Sequence, residues 1–206
     1  MALNFANNNS LSAITSLPAN ISGGTLNLIS TQTASNSATI DFTSGIDSTY
    51  KEYQVHFINV HPSNNAVMFA FQGDTGTNTN YNQTMTTTHF SSGINEGGSD
   101  AILSYQSTLD QSQGTDFQRI GNNTGNENDE CLGGILSLYN PSSSTFVKNF
   151  LCRLSEYHNE NYSFGSFSAG YFNTTSPITR LRFKFYSGNI ESGTLKLYGV
   201  SWCLLL

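Results

Sequence analysis

Apolar and polar residues take turns along most of this chain. TLNLIS (25–30), SATIDF (37–42), EYQVHFINV (52–60), AVMFAFQ (66–72) and YNQTMTTTHF (81–90) follow this rhythm. It resumes in GGILSLYN (133–140), TFVKNFLCRL (145–154), SFGSFSAGYFN (163–173), ITRLRFKFY (178–186) and GTLKLYGVSW (193–202). A period of two sends successive side chains to opposite faces, which is how a half-buried β-strand reads. HPSNN, GDTGTNTN, NPSSS, NTTSP and SGNIESG separate the runs, and Gly, Pro, Asn and Ser are turn formers. No stretch spaces its apolar residues as a helix does. About ten strands joined by such turns predict an all-β fold. We read it as a single antiparallel β-sandwich, jelly-roll-like.

The rhythm lapses in two places. Residues 1–24 are polar and unpatterned and read as an N-terminal arm or linker, with the sandwich domain spanning 25–206. Residues 94–130, containing NEGGSD, LDQSQGTDFQ and GNNTGNENDE, read as one long polar loop region. Long ordered loops commonly carry recognition. This one is therefore expected to be the binding surface, and to be replaceable by a short Gly-Ser link without loss of folding.

Composition sharpens the picture. Ser, Thr and Asn supply 74 of 206 residues, and charged residues only 11%. Short hydrogen-bonding side chains compete with the helix backbone, which again favours strands and turns. A net charge of −6 argues against a nucleic-acid partner. No run approaches the roughly 20 apolar residues of a membrane span, and the first residues lack the basic and apolar regions of a secretion signal. The Asn-x-Ser/Thr triplets at Asn20, Asn82, Asn161 and Asn173 are what such a composition produces by chance. Cys131, Cys152 and Cys203 are too few and too scattered for a disulfide framework. Cys152 alternates with Phe146, Phe150 and Leu154 and is expected in the core.

Candidate chemistry is sparse. His56 and His61 lie in YKEYQVHFINVHP at an even and an odd position, so strict alternation sends them to opposite faces. His89 and His158 stand apart, without zinc-ligand spacing. The acids of NENDE do not follow a calcium-loop pattern. SFGSFSAG lacks the two glycines that flank the serine of a nucleophile elbow, and no Gly-rich phosphate loop occurs. An enzyme would need convergent carboxylates, such as Asp100, Asp110 or Asp116 near Glu127. We assign no catalytic residue, no metal site and no cofactor.

Recognition is better represented. Within or beside the polar region we select Tyr105, Asp110, Asp116, Glu127 and Asp129, because exposed Tyr beside carboxylates suits sugar or protein contacts. Arg180, Arg182 and Lys184 alternate with Leu181, Phe183 and Phe185, and Lys196 is expected on the partner strand of the same hairpin. Half of the eight cations would then form one docking patch for an acidic partner subunit or a surface glycan. The ending SWCLLL carries a prenylation-like CLLL, but it continues a strand-like run and reads as a packed terminus.

Several segments resemble one group of proteins: ISGGTLNLISTQTASNSATIDFTSGIDSTYKEY, FINVHPSNNAVMFAFQ, YNPSSSTFVKNF, AGYFNTTSPITRLRFKF and SGNIESGTLKLYGV. They are similar to virion proteins of bacteriophages of marine and freshwater bacteria, cyanophages included. The likeness covers roughly residues 1–200, and its most specific pieces are TSGIDSTY, the NPSS turn and the LYG ending. It implies a non-enzymatic virion component assembled in the host cytoplasm. The expected station is a tail fibre or tail-associated attachment protein; the alternatives are a capsid-decoration protein and a free carbohydrate-binding module. Expected partners are other virion proteins, further copies of itself in a homotrimer, and a host surface glycan.

Overall fold

The computed structural model describes residues 26–201. Its strands are β1 (Leu26–Thr33), β2 (Ile40–Phe42), β3 (Glu52–Pro62), β4 (Phe69–Thr75), β5 (Met85–Asn95), β6 (Ala101–Tyr105), β7 (Ser112–Gly114), β8 (Gln118–Arg119), β9 (Leu132–Tyr139), β10 (Lys148–His158), β11 (Tyr162–Phe172), β12 (Ile178–Phe185) and β13 (Ile190–Val200). All ten alternating runs become strands, as β1–β5 and β9–β13. The segment 1–24 and the chain from Trp202 onward lie outside the described residues.

Two antiparallel sheets pack face to face. The large one has nine strands in the order β1-β13-β3-β9-β10-β11-β5-β6, with β7 beside β5; the small one has four, β2-β12-β4-β8. Eight strands form a jelly roll, with β1-β13-β3-β9 facing β2-β12-β4-β8. The other strands are insertions. β5, β6 and β7 fall between β4 and β8 in the chain, and β10 and β11 between β9 and β12. Both insertions extend the large sheet beyond β9.

Between the sheets the apolar face of each strand meets the other. Phe183 stands in a cluster of rings, with centroids 5.3 Å from Phe57, 6.0 Å from Phe69, 6.1 Å from Phe71 and 6.2 Å from Phe42. Phe71 of the small sheet also meets Phe150 of the large one edge-on at 5.0 Å. Cys152 is buried as expected, but Phe146 is 67% exposed, because β10 begins only at Lys148 and Phe146 belongs to the preceding turn.

Three expectations are corrected. Residues 94–130 are not one loop: they contain β6, β7, β8 and a 3-10 turn at Ser107–Leu109. Leu109, Gln118, Ile120 and Thr124 of this stretch are buried, so a Gly-Ser link in its place would remove part of the interior. Much of what it buries is polar, which hid it from a search for apolar alternation. Secondly, β12 and β13 are not a hairpin. β12 pairs with β2 and β4, and β13 with β1 and β3, because the jelly-roll path crosses between sheets at that turn. Thirdly, β3 does not alternate strictly. Its register shifts between Phe57 and Val60, and Asn59 takes a φ of 50°. This bulge restarts the rhythm, so that Val60 and Pro62 continue the buried side begun by Val55 and Phe57. His56 and His61 therefore share the outer face.

Candidate functional site

The extension gives the large sheet two different surfaces. Inward, from the edge strand β8 of the small sheet outward, β5 and β11 present Thr87, His89, Ser91, Ser166 and Ser168, all buried. The segment from Gln106 to Gly125 covers them. Thr87 Oγ1 donates to Gln118 Oε1 at 2.7 Å, and Gln118 Nε2 donates to the Leu109 carbonyl at 3.0 Å. His89 Nδ1 pairs with Ser168 Oγ at 2.7 Å, and burial holds this imidazole below its ordinary pKa. Glu156 is 3% exposed and accepts from Asn122 N at 2.7 Å, Ser166 Oγ at 2.8 Å and Thr124 Oγ1 at 2.9 Å. Burial pushes its carboxyl up against the opposing pull of those three donors. These groups are sealed in, and their bonds fasten the covering segment to the sheet.

Outward, the same strands are uncovered. Pairing aligns one row of side chains across the whole sheet: Thr31, Lys196, His56, Ile135, Arg153, Phe167, Phe90 and Tyr105. Its far half is a ridge of stacked planes. Phe90 and Phe167 lie 4.9 Å apart at 8° to one another, and the Arg153 guanidinium stands 5.9 Å from the Phe167 centroid. Cross-strand neighbours of this kind reinforce pairing. The rows on either side are lower. One runs Ser137, Leu151, Ala169, Thr88; the other runs Gly133, Ser155, Gly165, Ser92. Ser137 and Leu151 of the first row and Gly133, Ser155 and Gly165 of the second line an open groove of about 800 Å³ over β9, β10 and β11. A Cβ at Gly165 would sit 3.3 Å from Ser92 Oγ and 3.6 Å from the Phe167 ring, so glycine keeps this floor clear. Ile135, Phe90, Leu151, Tyr105 and Leu103 are between 40% and 80% exposed on or beside these rows. Large apolar groups left uncovered in one patch usually mark an interaction surface.

The residues selected from sequence are scattered. Tyr105 ends the ridge, and its hydroxyl donates to Asp110 Oδ2; that bond raises the Tyr105 pKa. Asp110 Oδ1 accepts from His89 N at 2.7 Å, so this acid is a clamp on the chain after β6. The exposed Asp116 contributes its carbonyl, which accepts from Gln72 Nε2 at 3.0 Å. Glu127 and Asp129 are exposed in the turn before β9. Nearby, Tyr157 donates to Glu96 at 2.9 Å, which pushes the Tyr157 pKa up to about 12. The basic patch does not assemble. Arg180, Arg182 and Lys184 are on the small sheet, whereas Lys196 is on the large one, opposite His56. Arg182 is bound by both oxygens of Asp41, at 2.8 and 2.6 Å, and lies 4.1 Å from the Tyr81 ring. Arg180 Nε donates to the Gly76 carbonyl at 3.1 Å, and Lys184 stands 5.1 Å from the Phe117 ring.

The histidines do not converge either. His56 pairs with Gln54 Oε1 at 3.1 Å and packs on Tyr198, while His61 Nε2 faces Glu191 at 3.3 Å. Among the described residues no group of three or more His, Cys, Asp or Glu is placed to hold a metal ion. The sequence reading missed Arg153, Phe167, Phe90 and the glycine floor. The available signal was an apolar residue in the polar phase of its own strand: Leu151 beside Phe150, and Phe90 beside His89. No protein-family model, curated protein or solved structure gives a match to this chain.

Proposed function

We propose that this chain is a non-enzymatic structural protein on the surface of a bacteriophage particle, and that it attaches through the outer face of its large sheet. One observation carries the reading: that face is left open although it bears a continuous ridge and groove of half-exposed apolar side chains. The polar interior supports it, because the buried His89, Ser168 and Glu156 bond to one another's strands and to the covering segment and so hold that segment down. The virion setting rests on the resemblance of the segments quoted above. A tail-borne attachment protein uses such a face on the host envelope; a head-decorating protein would bury it against the shell, and a free sugar-binding module would carry it in solution. Several copies on one particle multiply weak contacts.

Antiserum against the purified chain, applied to intact particles under the electron microscope, tests the station. Labelled tails are the expected result, and labelled shells favour decoration. Particles without label at either place would refute the proposal.

A further inference from the structure

The uncovered face has a charge pattern that selects its occupant. The ridge row and the two rows beside it contain no acidic residue, on any strand from β1 to β6. They do contain Arg153 and Lys196, in a chain whose net charge is −6. Among the described residues the ion pairs are His61–Glu191 and Arg182–Asp41, so neither Arg153 nor Lys196 is neutralised by a carboxylate. Arg153 lies between Ile135 and Phe167 in its row, with apolar neighbours on both sides. Three strand spacings separate it from Lys196, about 14 Å. The edge of the Phe167 ring leans over Gly165, and ring edges carry the positive end of the aromatic quadrupole. The floor beside it offers hydroxyls from Ser155 and Ser92.

Resting on the attachment reading above, we infer that this groove takes an acidic polysaccharide, one bearing carboxylate or sulfate groups, laid across the strands along the Gly133–Ser155–Gly165–Ser92 floor. Arg153 receives one anionic group and Lys196 a second further along. The serine hydroxyls meet the sugar oxygens, and the ridge forms the wall. A second copy stacked on this face would set cations against cations. A nucleic acid would bring a charge every few ångströms to a surface holding two unneutralised cations, where Glu96 and Asp129 line the hollow that adjoins the floor at Gly133 and Ser155. A polymer with sparse negative charge and many hydroxyls matches both the spacing and the floor.

The test is affinity electrophoresis of the whole chain in gels containing hyaluronate, lightly sulfated dextran or neutral dextran, with cell binding measured in parallel. The wild type should be retarded by an acidic polymer, saturably and less so as salt rises. Arg153→Gln should weaken this about tenfold, as expected for a charge-assisted hydrogen bond. Gly165→Val, which fills the floor, should abolish it. Lys184→Gln makes the same charge change on the opposite sheet and should leave binding within about twofold. Circular dichroism checks that each variant is folded. Retardation by neutral dextran equal to that by the acidic polymers overturns the acidic class, as does equal loss from Lys184→Gln. Cell binding that Gly165→Val abolishes, without retardation by any polymer, also overturns the inference but retains the face as the attachment surface. Cell binding indifferent to both Arg153→Gln and Gly165→Val overturns the attachment reading itself.

Discussion

Glu156 offers the sharpest test of how the inserted strands are held. Its carboxylate sits on the inward face of β10 and ties β11, through Ser166, to the covering segment, through Asn122 and Thr124. Glu156→Ala would orphan the part-buried Asn122 N–H and strand the two buried hydroxyls of Thr124 and Ser166. An unmet buried donor costs about 1–3 kcal/mol, and the lost packing adds to it, so we expect about 3 kcal/mol in all. For a chain of this size that lowers Tm by roughly 9 °C. Glu156→Gln should behave differently. Its carbonyl oxygen can accept from Asn122 and Ser166 as Oε1 does now, and its amide can donate to Thr124 once that hydroxyl turns. All three bonds persist and the buried charge is gone, so the loss at pH 7 should stay below about 1 kcal/mol.

The pH dependence has a definite sign. Burial raises the folded-state pKa of Glu156 above its ordinary value of 4.5. Between the two values the folded protein binds more protons than the unfolded chain, so stability falls as pH rises through that window. The glutamine variant has no such dependence. The stability of the wild type relative to Glu156→Gln should therefore decline as pH rises above 4.5, measured by urea unfolding followed by circular dichroism. A difference that is flat or rises with pH would refute the argument. So would Glu156→Gln proving as damaging as Glu156→Ala, since the charge itself would then be what the three donors stabilise.

Other expectations follow from the core and the small sheet. Phe183→Ala should cost about 4 kcal/mol in urea unfolding, because this fully buried ring touches four other phenylalanines; a loss below about 2 kcal/mol would place the centre of the core elsewhere. Arg182→Gln should cost only about 1 kcal/mol despite its two-pronged pairing, since both partners are partly solvated and water screens them. Burial pushes the Cys152 thiol far up its range, so Cys152 should resist alkylation in the native protein and react in urea, while the half-buried Cys131 reacts sooner. Early labelling of Cys152, read by peptide mass, would contradict its position between the sheets.

Strands are legible in a sequence when one face is greasy and the other wet. That condition holds for β3, β12 and β13, whose inward residues include Phe57, Phe183 and Leu197. It fails for β6, where Ala101, Leu103 and Tyr105 are the exposed residues, and for β8, which spans two residues, Gln118 and Arg119. Their places are fixed by hydrogen bonds between residues far apart in the chain, such as Thr87 with Gln118, which leave no periodic trace. The two histidines show how far one residue can carry an error. Asn59 in the left-handed region shifts every later side chain of β3 by one place, and asparagine is among the few residues that adopt that conformation at little cost. The basic patch failed for another reason. Alternation gave the face of Arg180, Arg182 and Lys184 correctly, but the sheet to which each strand belongs is decided by topology.

The same distinction explains why the candidate groove went unseen. A jelly roll of eight strands needs apolar side chains on one face only, and the chain supplies them on the strands of both sheets. The inserted β5, β10 and β11 reverse that economy: their inward side is partly polar, with His89, Ser166, Ser168 and Glu156, and their outward side carries Phe90, Leu151 and Phe167. Burying the first set demanded a dedicated covering segment and a hydrogen bond for nearly every group, among them the three received by Glu156. Leaving the second set in water forgoes the stabilisation that burial would bring, about 25 cal/mol per Å². Phe150, Cys152, Leu154 and Phe172 already tie the inserted strands into the core, so the exposed apolar set is not needed for that. An extension that is partly polar inside and apolar outside makes physical sense if something else covers the outer face, and under the proposal above Arg153 at its centre selects the charge of that covering.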